Sequence, residues 1–586
     1  DILNMETIYM KFALVVEENR KLIEENQQLK KRLEETLRNR VSIEDLKNEL
    51  SQAAEKDKIF SNKDMDYVCA NSELITSSMY SNCPKLMKLL ETLTSNPTVS
   101  KSIFSQILFC FSQRANALCF LLGFYLIGTG AGKKLLSVTH KLGLTPHYST
   151  LWDFLKTRKS TQQLKLEELF RTQQGNFIID NINMSNPPRF FRSVKTIQDQ
   201  WNGTAALVFF TPIEKLNFKN DHELFLTKEN ITKLFHFYSQ VFQNLSNRRT
   251  GIGKAVDKMK LYSLPLIDEN CGTTDGCRKV LLELLKLSKE KESVVFGDVG
   301  FIQTARGAKR EVQSEEGLTN LKTLSLVYGD FHAFMEEQTI IKKSFWGKKD
   351  EFFSLSFICN LLKRDIQENK KQFHHTDELF LHILIALKRF FSEYSSEELV
   401  HKFHKQQDYL SCLGWNLLNY WGYRAAVRAQ DINILSLILK NQFFRYLGSG
   451  CCNYTTQTKY LLFDELPPNS FLFRSLNLIG VENHGKAVDL VMEHYIGYIK
   501  NTLKLSNTKI DKLQVVTSNV DLLESSEEVL NNIFGIRYNR SYSAPNFEED
   551  INRILECLRN QNGQQFPSIK NIEEKGVKAY FSYLCK

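Results

Sequence analysis

The sequence predicts an α/β protein in which a mixed sheet is interrupted by a large all-α insertion, behind an N-terminal coiled coil and a helical domain. Three observations carry this expectation. Apolar, β-rich runs that end in aspartate begin near residue 176, residues 333–478 read as almost wholly helical, and residues 12–37 carry a heptad pattern. At 586 residues the chain is several domains long, and 42 % hydrophobic with 11 % aromatic residues describes a chain that folds around cores. A net charge of +9 tilts the expected partner towards a polyanion.

In the heptad, Val15, Leu22 and Leu29 fall at d and Asn19, Asn26 and Leu33 at a, flanked by Glu, Lys and Arg. Asn at an a position weakens a coiled coil but fixes a parallel, in-register dimer, so residues 1–59 are read as a dimerisation segment. A long, solvated, charged helix is the alternative. Residues 60–172 read as a helical domain. Within it, "KKLLSVTHKLGLTPHYSTLWDFLKTRK" has the form helix, turn, helix, with Gly143 in the turn and Pro146 in the first turn of the second helix. Lys133 to Arg171 holds eight Lys/Arg against three acids. A DNA-reading helix-turn-helix fits, with Lys133, Lys134, His147, Tyr148, Lys156, Arg158 and Lys159 as candidate contacts. An ordinary αα-hairpin with Trp152 in its core fits as well.

From 176 the period changes. "NFIID", "GTAALVFF" and, after a helix at 228–246, "KLYSLPLI" are strand-like. "TTDGCRKVLLELLKLS" is an amphipathic helix capped by Thr273 or Thr274. "SVVFGD" and "TLSLVYGD" are further strands, separated by a basic stretch. The sheet region is therefore 173–340, the insertion 341–478, a separate helix follows in 479–505, and 506–586 is helical and loop-like.

Asp180 and Asp298 each close a strand, and Glu493 lies on the helix after the insertion. In a mixed sheet the first strand and the helix-flanked later one can be neighbours, so the two aspartates can converge, with the helix supplying a third acid. Three hard oxygen ligands without His or Cys suit Mg²⁺ or Mn²⁺. Two such ions about 4 Å apart would serve a phosphodiester displacement. Each acid also has an ordinary reading, as a turn former or a solvated face.

The order strand–Asp, two strands, helix, strand–Asp, strand, helix–Glu resembles an RNase H-like nuclease. More specifically, the chain resembles cut-and-paste DNA transposases of that superfamily, in particular hAT-like branches with a helical insertion before the final catalytic helix. It is similar to a group of uncharacterised transposon-derived proteins from fungi and invertebrates. The stretches carrying this are "GFYLIGTGAGKKLLSVTHKLGLTPHYST", "FIIDNINM" with "WNGTAALVF", "LIDENCGTTDG", "VVFGD", "YGDFHA", and "GSGCCNYTTQTKYLLFDELPP" followed by "ENHGKAVDLVMEH". The resemblance implies a nuclear, Mg²⁺- or Mn²⁺-dependent transposase that cleaves and joins DNA strands as a dimer or larger homo-oligomer. It also implies that Asp180, Asp298 and Glu493 are catalytic, metal-binding acids. Asp489, one turn earlier, competes for the third role. His332 falls where hAT-like enzymes place a histidine near the site, and equally fits a strand-end histidine. The Cys-x-x-His pairing and the zinc-finger module of such enzymes are absent. End recognition then falls to the basic helices, the insertion, or residues upstream, which are expected because Asp1 and not Met opens the sequence. Two rival readings are a catalytically silent transposase-derived DNA-binding protein and a coiled-coil scaffold.

Other features exclude more than they assign. "GTGAGKK" lacks the strand and spacing of a nucleotide-binding loop. The twelve cysteines form no zinc spacing, and His401 with His404 is a weak metal pair. The longest apolar run is broken by Gln106, Gln113, Arg114 and Asn116, so no membrane span is expected; no signal peptide is seen either. "KKSFWGKK" places Lys342, Lys343 and Trp346 as further DNA candidates, and Tyr454 is expected to pack helices.

Overall fold

The computed structural model describes residues 17, 20–21, 24–31, 42–56, 58–112, 115–185, 200–211, 226–244, 259–313, 319–394, 396–464, 480–481, 484–502, 510–535, 547–560, 564–568 and 572–584. The chain divides into two compact units, Asp1–Thr161 with Tyr498–Arg540, and Gln162–Gly497 with Ser541–Lys586. Of the heptad, residues 24–31 are helical and exposed, with Leu29 40 % exposed; Val15, Asn19, Leu22 and Leu33 lie outside the described residues.

The first unit begins with α1 (Ile43–Lys56), α2 (Met65–Ala70), α3 (Glu73–Asn82), α4 (Pro84–Thr94), α5 (Pro97–Phe111), α6 (Ala117–Gly128) and α7 (Lys133–Lys141). Pro84 and Pro97 open their helices, where a missing N–H costs nothing. Gly143 takes the left-handed turn, φ +70°, between α7 and α8 (Tyr148–Thr172), as expected from its place between two leucines.

The strands follow: β1 (Gln174–Ser185), β2 (Gln200–Thr211), then α9 (Lys228–Asn244), β3 (Leu261–Ser263), α10 (Thr274–Leu287), β4 (Ser293–Gly297), α11 (Val299–Gln313) and β5 (Leu324–Tyr328). They form one mixed sheet in the order β3-β2-β1-β4-β5. β1 pairs antiparallel with β2 and parallel with β4, which pairs parallel with β5. The central strands read as unbroken apolar runs because they are covered throughout: Phe177, Ile178 and Ile179, and all five residues of β4, are buried. Each of the buried Phe, Ile and Val side chains among them contributes roughly 1.5–3 kcal/mol of transfer free energy. Thr273, one of the two expected caps, accepts from Gly276 N at 3.2 Å to start α10.

A helical body continues the second unit: α12 (Asp330–Phe345), α13 (Leu355–Leu361), α14 (Phe373–Ser392), α15 (Ser396–Ala429), α16 (Ile432–Ser449) and α17 (Cys452–Lys459). Two short strands, β6 (Gly480–Val481) and β7 (His484–Gly485), precede α18 (Val488–Thr502). Next, α19 (Ile510–Thr517) and α20 (Val520–Phe534) return to the first unit, where α20 packs on α6. Finally α21 (Phe547–Arg559) and α22 (Ile572–Leu584) rejoin the second unit, against α14 and α16. The 506–586 region thus serves two cores. α9, lying between strands in sequence, packs with α15 and α16, where the Tyr238 hydroxyl bonds Asn419. Arg445 anchors the helical body from α16: fully buried, it reaches Glu337 at 2.8 Å, Asn416 at 2.7 Å and Glu573 at 2.9 Å. Among the described residues no helix is long and apolar enough to cross a membrane.

Candidate active site

Register brings the two strand aspartates together. Ile178 faces Phe296 in the parallel β1–β4 ladder, so Asp180 and Asp298 each lie two positions past a paired residue on adjacent strands. Asp298 follows the end of β4, but Asp180 does not close its strand as expected, because β1 runs on to Ser185 in its ladder with β2. Asp180 is fixed by its Oδ1, which accepts Asn181 N at 2.7 Å. Asp298 Oδ1 accepts Phe301 N at 2.6 Å, so this acid also caps α11. Burial first, then the charge of Asp298 and, more weakly, of Glu493, pushes the Asp180 carboxyl up to about 7. Burial is the larger cause, and the smaller contributions of Asp298 and Glu493 mark both acids as neighbours of Asp180.

Asp489 and Glu493, one turn apart on α18, take different jobs. Asp489 is buried, 4 % exposed, and its carboxylate accepts Phe331 N at 2.9 Å and His332 N at 2.8 Å, capping α12 from another helix. It also holds His332 Nδ1 at 2.9 Å. Gly329 makes this possible, since a Cβ there would sit 2.1 Å from Asp489 Cγ. His332 thereby turns Nε2 towards Glu493 Oε1, 3.5 Å away. Burial opposes an imidazolium here, but the bonds to Asp489 and Glu493, with the charges of Asp489 and Asp298, outweigh it and raise His332 to about 10. His332 is therefore the cation of this acidic cluster, and Asp489 its anchor.

The sheet edge adds residues that sequence patterns did not single out. Cys271 Sγ donates to Asn181 Oδ1 at 3.0 Å, and Cys271 N donates to Thr204 Oγ1 at 3.3 Å, tying the loop before α10 to β1 and β2. Burial, and beyond it the charges of Asp180 and Asp298, pushes the Cys271 thiol up to about 12, which marks its nearness to the aspartates.

Asp180, Asp298 and Glu493 offer carboxylate oxygens alone, the donor set of a hard divalent cation, and such a cation would offset the Asp298 and Glu493 charges that add to burial in raising Asp180. As they stand, no group of three or more His, Cys, Asp or Glu side chains among the described residues converges tightly enough to hold a metal ion. The fit is one of chemistry and shared location.

A family profile described as "Family of unknown function (DUF6589)" matches residues 226–413 and 387–542, together more than half of the chain. The chain belongs to DUF6589. No curated protein matches it. The DUF6589 match takes in Asp298, His332, Asp489 and Glu493, and Asp180 precedes it.

The DNA-contact candidates of this DUF6589 chain divide by where their charged ends point. In the first unit Lys133, Lys134, His147 and Lys156 are exposed. Lys133 Nζ lies 5.8 Å over the half-buried Tyr148 ring, and Lys512 of α19 lies 5.6 Å over Trp152. Lys159 Nζ is bonded to Gln514 Oε1 at 3.2 Å. Arg158 turns inward: it grips Asp521 with two nitrogens at 3.1 and 2.8 Å, and Asp66 at 2.8 Å, with its side chain 12 % exposed. Its place in a basic run concealed that role as an internal brace. In the second unit Lys342 is likewise corrected: it is 3 % exposed and donates to the carbonyls of Gln367 and Lys370 at 3.1 and 2.7 Å. Lys343 is exposed and Trp346 half-buried. Tyr454 packs as expected, its ring 5.7 Å from Tyr328 and 5.1 Å from Tyr446. The side chains of His401 and His404 lie outside the described residues.

Proposed function

We propose that the chain is a divalent-metal-dependent DNA strand-cleaving and strand-joining enzyme of RNase H-like layout, a transposase, with Asp180, Asp298 and Glu493 as its acids. The single observation that carries this is the parallel β1–β4 register, which sets Asp180 beside Asp298 at the edge where α18 delivers Glu493. The strand order β3-β2-β1-β4-β5 supports the RNase H-like part of the reading. A Mg²⁺ or Mn²⁺ ion, when bound, would supply activation of the attacking oxygen and stabilisation of the leaving one.

The chain's own residues then have distinct tasks. Asn181 N and Phe301 N orient the two aspartates. Asp489 holds His332, and His332 steers Glu493. The exposed lysines at Lys133, Lys134 and Lys156 would contact phosphates along a duplex of either end or target DNA.

The test is Mn²⁺-dependent nicking of supercoiled plasmid. Wild type should nick, and Asp180→Asn, Asp298→Asn and Glu493→Gln should each lose at least about 100-fold. An inactive wild type would favour a silent DNA-binding descendant, and a fully active Glu493→Gln would remove that residue from the site.

A further inference from the structure

In the first unit, two lysines from different helices lie against one aromatic pair. Tyr148 opens α8 and Trp152 follows one turn later, a spacing that sets their rings side by side, centroids 5.9 Å apart and tilted by 53°. Lys133, the first residue of α7, holds its Nζ 5.8 Å over the Tyr148 ring. Lys512 of α19 holds its Nζ 5.6 Å over Trp152 and 3.5 Å from the Tyr148 hydroxyl. Both rings are half-buried and both lysines are exposed. Trp152 is therefore not enclosed in the core of the hairpin.

The placement is built in. Thr139 Oγ1 meets Thr145 Oγ1 at 2.9 Å and His140 Nδ1 donates to the Thr145 carbonyl at 3.0 Å, which fixes the turn from α7 to α8. Lys159 bonds Gln514 Oε1 at 3.2 Å and Asn519 Nδ2 donates to the Leu155 carbonyl at 3.0 Å, which seats α19 along α8. The two ammonium charges have no acid of their own. Asp153, next to Trp152, is taken by Lys156 at 3.6 Å, and among the described residues no carboxylate pairs with Lys133 or Lys512.

An exposed ammonium is only weakly held by a ring face. A phosphate, which offers a full charge, draws it off and uncovers the face. The ligand that matches both parts carries anionic groups spaced between flat aromatic ones, as a nucleic acid strand does. In a duplex the base faces are covered by their neighbours, so only an unpaired base can be laid on these rings.

We infer that Tyr148, Trp152, Lys133 and Lys512 form a clamp for single-stranded DNA, with a base stacked on the ring pair and flanking phosphates on the two lysines. The assignment rests on the reading above for DNA as the polyanion, and adds that the strand carries unpaired bases where it meets α8.

The experiment follows binding to the full chain by anisotropy in EDTA, with a fluorescein-labelled oligothymidylate of about 20 nucleotides, an abasic strand of the same length, and the matching duplex. Wild type should bind the oligothymidylate at least about fivefold tighter than the abasic strand, the least that one stacked base contributes. Tyr148→Leu with Trp152→Leu should abolish that preference and leave duplex affinity unchanged, whereas Trp152→Phe should retain it. Lys512→Gln, at an exposed position, should weaken both single strands alike and lower the salt slope by about 0.7, one phosphate contact. Circular dichroism melts matching wild type would exclude loss of fold. Equal wild-type affinity for the oligothymidylate and the abasic strand refutes the clamp, as does a preference that survives loss of both rings. An equal loss of duplex binding in the ring variants refutes the assignment to unpaired bases. None of these results touches the nuclease reading, which the nicking assay decides. A chain that fails to nick yet prefers bases through Trp152 loses the nuclease reading and keeps the clamp.

Discussion

Asp180 carries a pH signature of its own. Its carboxyl is raised from 3.8 to about 7 in the folded chain. For an acid raised on folding, the protonated form is the better folded partner. Its stabilising contribution is complete below about pH 4 and disappears as pH rises through about 7. Asp180→Asn should therefore melt higher than wild type at pH 8, by roughly 2 kcal/mol, and match it near pH 4. Mg²⁺ should raise the wild-type melting temperature at pH 8 and leave Asp180→Asn unmoved; equal Mg²⁺ shifts in both would detach Asp180 from any metal. Asp489 predicts the opposite sign. It accepts two backbone N–H groups and His332, and an asparagine can satisfy only part of that set. Asp489→Asn should cost about 2–3 kcal/mol at pH 6. Because His332 is raised to about 10, its contribution is complete below about pH 6.5 and fades as pH climbs through 10. The penalty should accordingly shrink at pH 10.5. A penalty independent of pH would mean that Asp489 acts as a helix cap alone.

At the scale of elements, the start of α12 depends on Gly329 for space, not for backbone freedom. Its φ of −80° suits any residue, yet a Cβ would strike Asp489. Gly329→Ala should cost about 1–3 kcal/mol, and Asp489→Ala should relieve part of that cost in the double mutant. Simple additivity would place the strain elsewhere. On α8, Arg158→Ala should destabilise the chain by about 1–2 kcal/mol, because the partly buried Asp521 loses its two-nitrogen donor while the exposed Asp66 returns to water. Lys133→Glu with Lys134→Glu should leave melting within about 0.5 kcal/mol and weaken duplex binding instead. Those paired outcomes mark how far sequence could be read. Apolar runs that lead into Asp180 and Asp298 reveal the buried parts of the strands, because burial on both faces leaves no room for polar alternation. The end of β1 is not legible in this way: its polar continuation to Ser185 is held by pairing with β2. Thr273 and Gly143 announce a cap and a turn for local reasons. The direction taken by a long basic side chain is not local. Arg158 and Lys342 differ from exposed lysines only through partners such as Asp521 and the Lys370 carbonyl, which tertiary packing brings to them. The same holds for Asp489, whose role depends on a glycine more than 150 positions earlier.

The whole molecule is assembled from segments that alternate between two cores. Residues 510–535 and residues 547–584 read alike as amphipathic helices, and nothing in their periodicity says that the first set belongs with α6 and the second with α14 and α16. Assembly between chains is a separate question that the heptad raises. The proposed parallel dimer predicts that deleting residues 1–41 halves the mass seen by light scattering, with little change in the melting of the rest. An unchanged mass would place self-association outside the heptad.

Arg158 and Asp521 also set a clock. They are 363 residues apart in the chain yet share a two-nitrogen contact inside one unit, where Lys101 also donates a single bond to the Ile533 carbonyl across 432. A ribosome adding about 5–20 residues per second needs roughly 20 to 70 s to travel from Arg158 to Asp521. Throughout that interval the nascent helices α2, α5 and α6 hold apolar faces whose covering helix, α20, has not been made. The second unit's sheet, in contrast, has all five strands out of the tunnel long before. Translation should thus finish the acid-bearing sheet first and leave the N-terminal helices dependent on chaperones until α20 emerges.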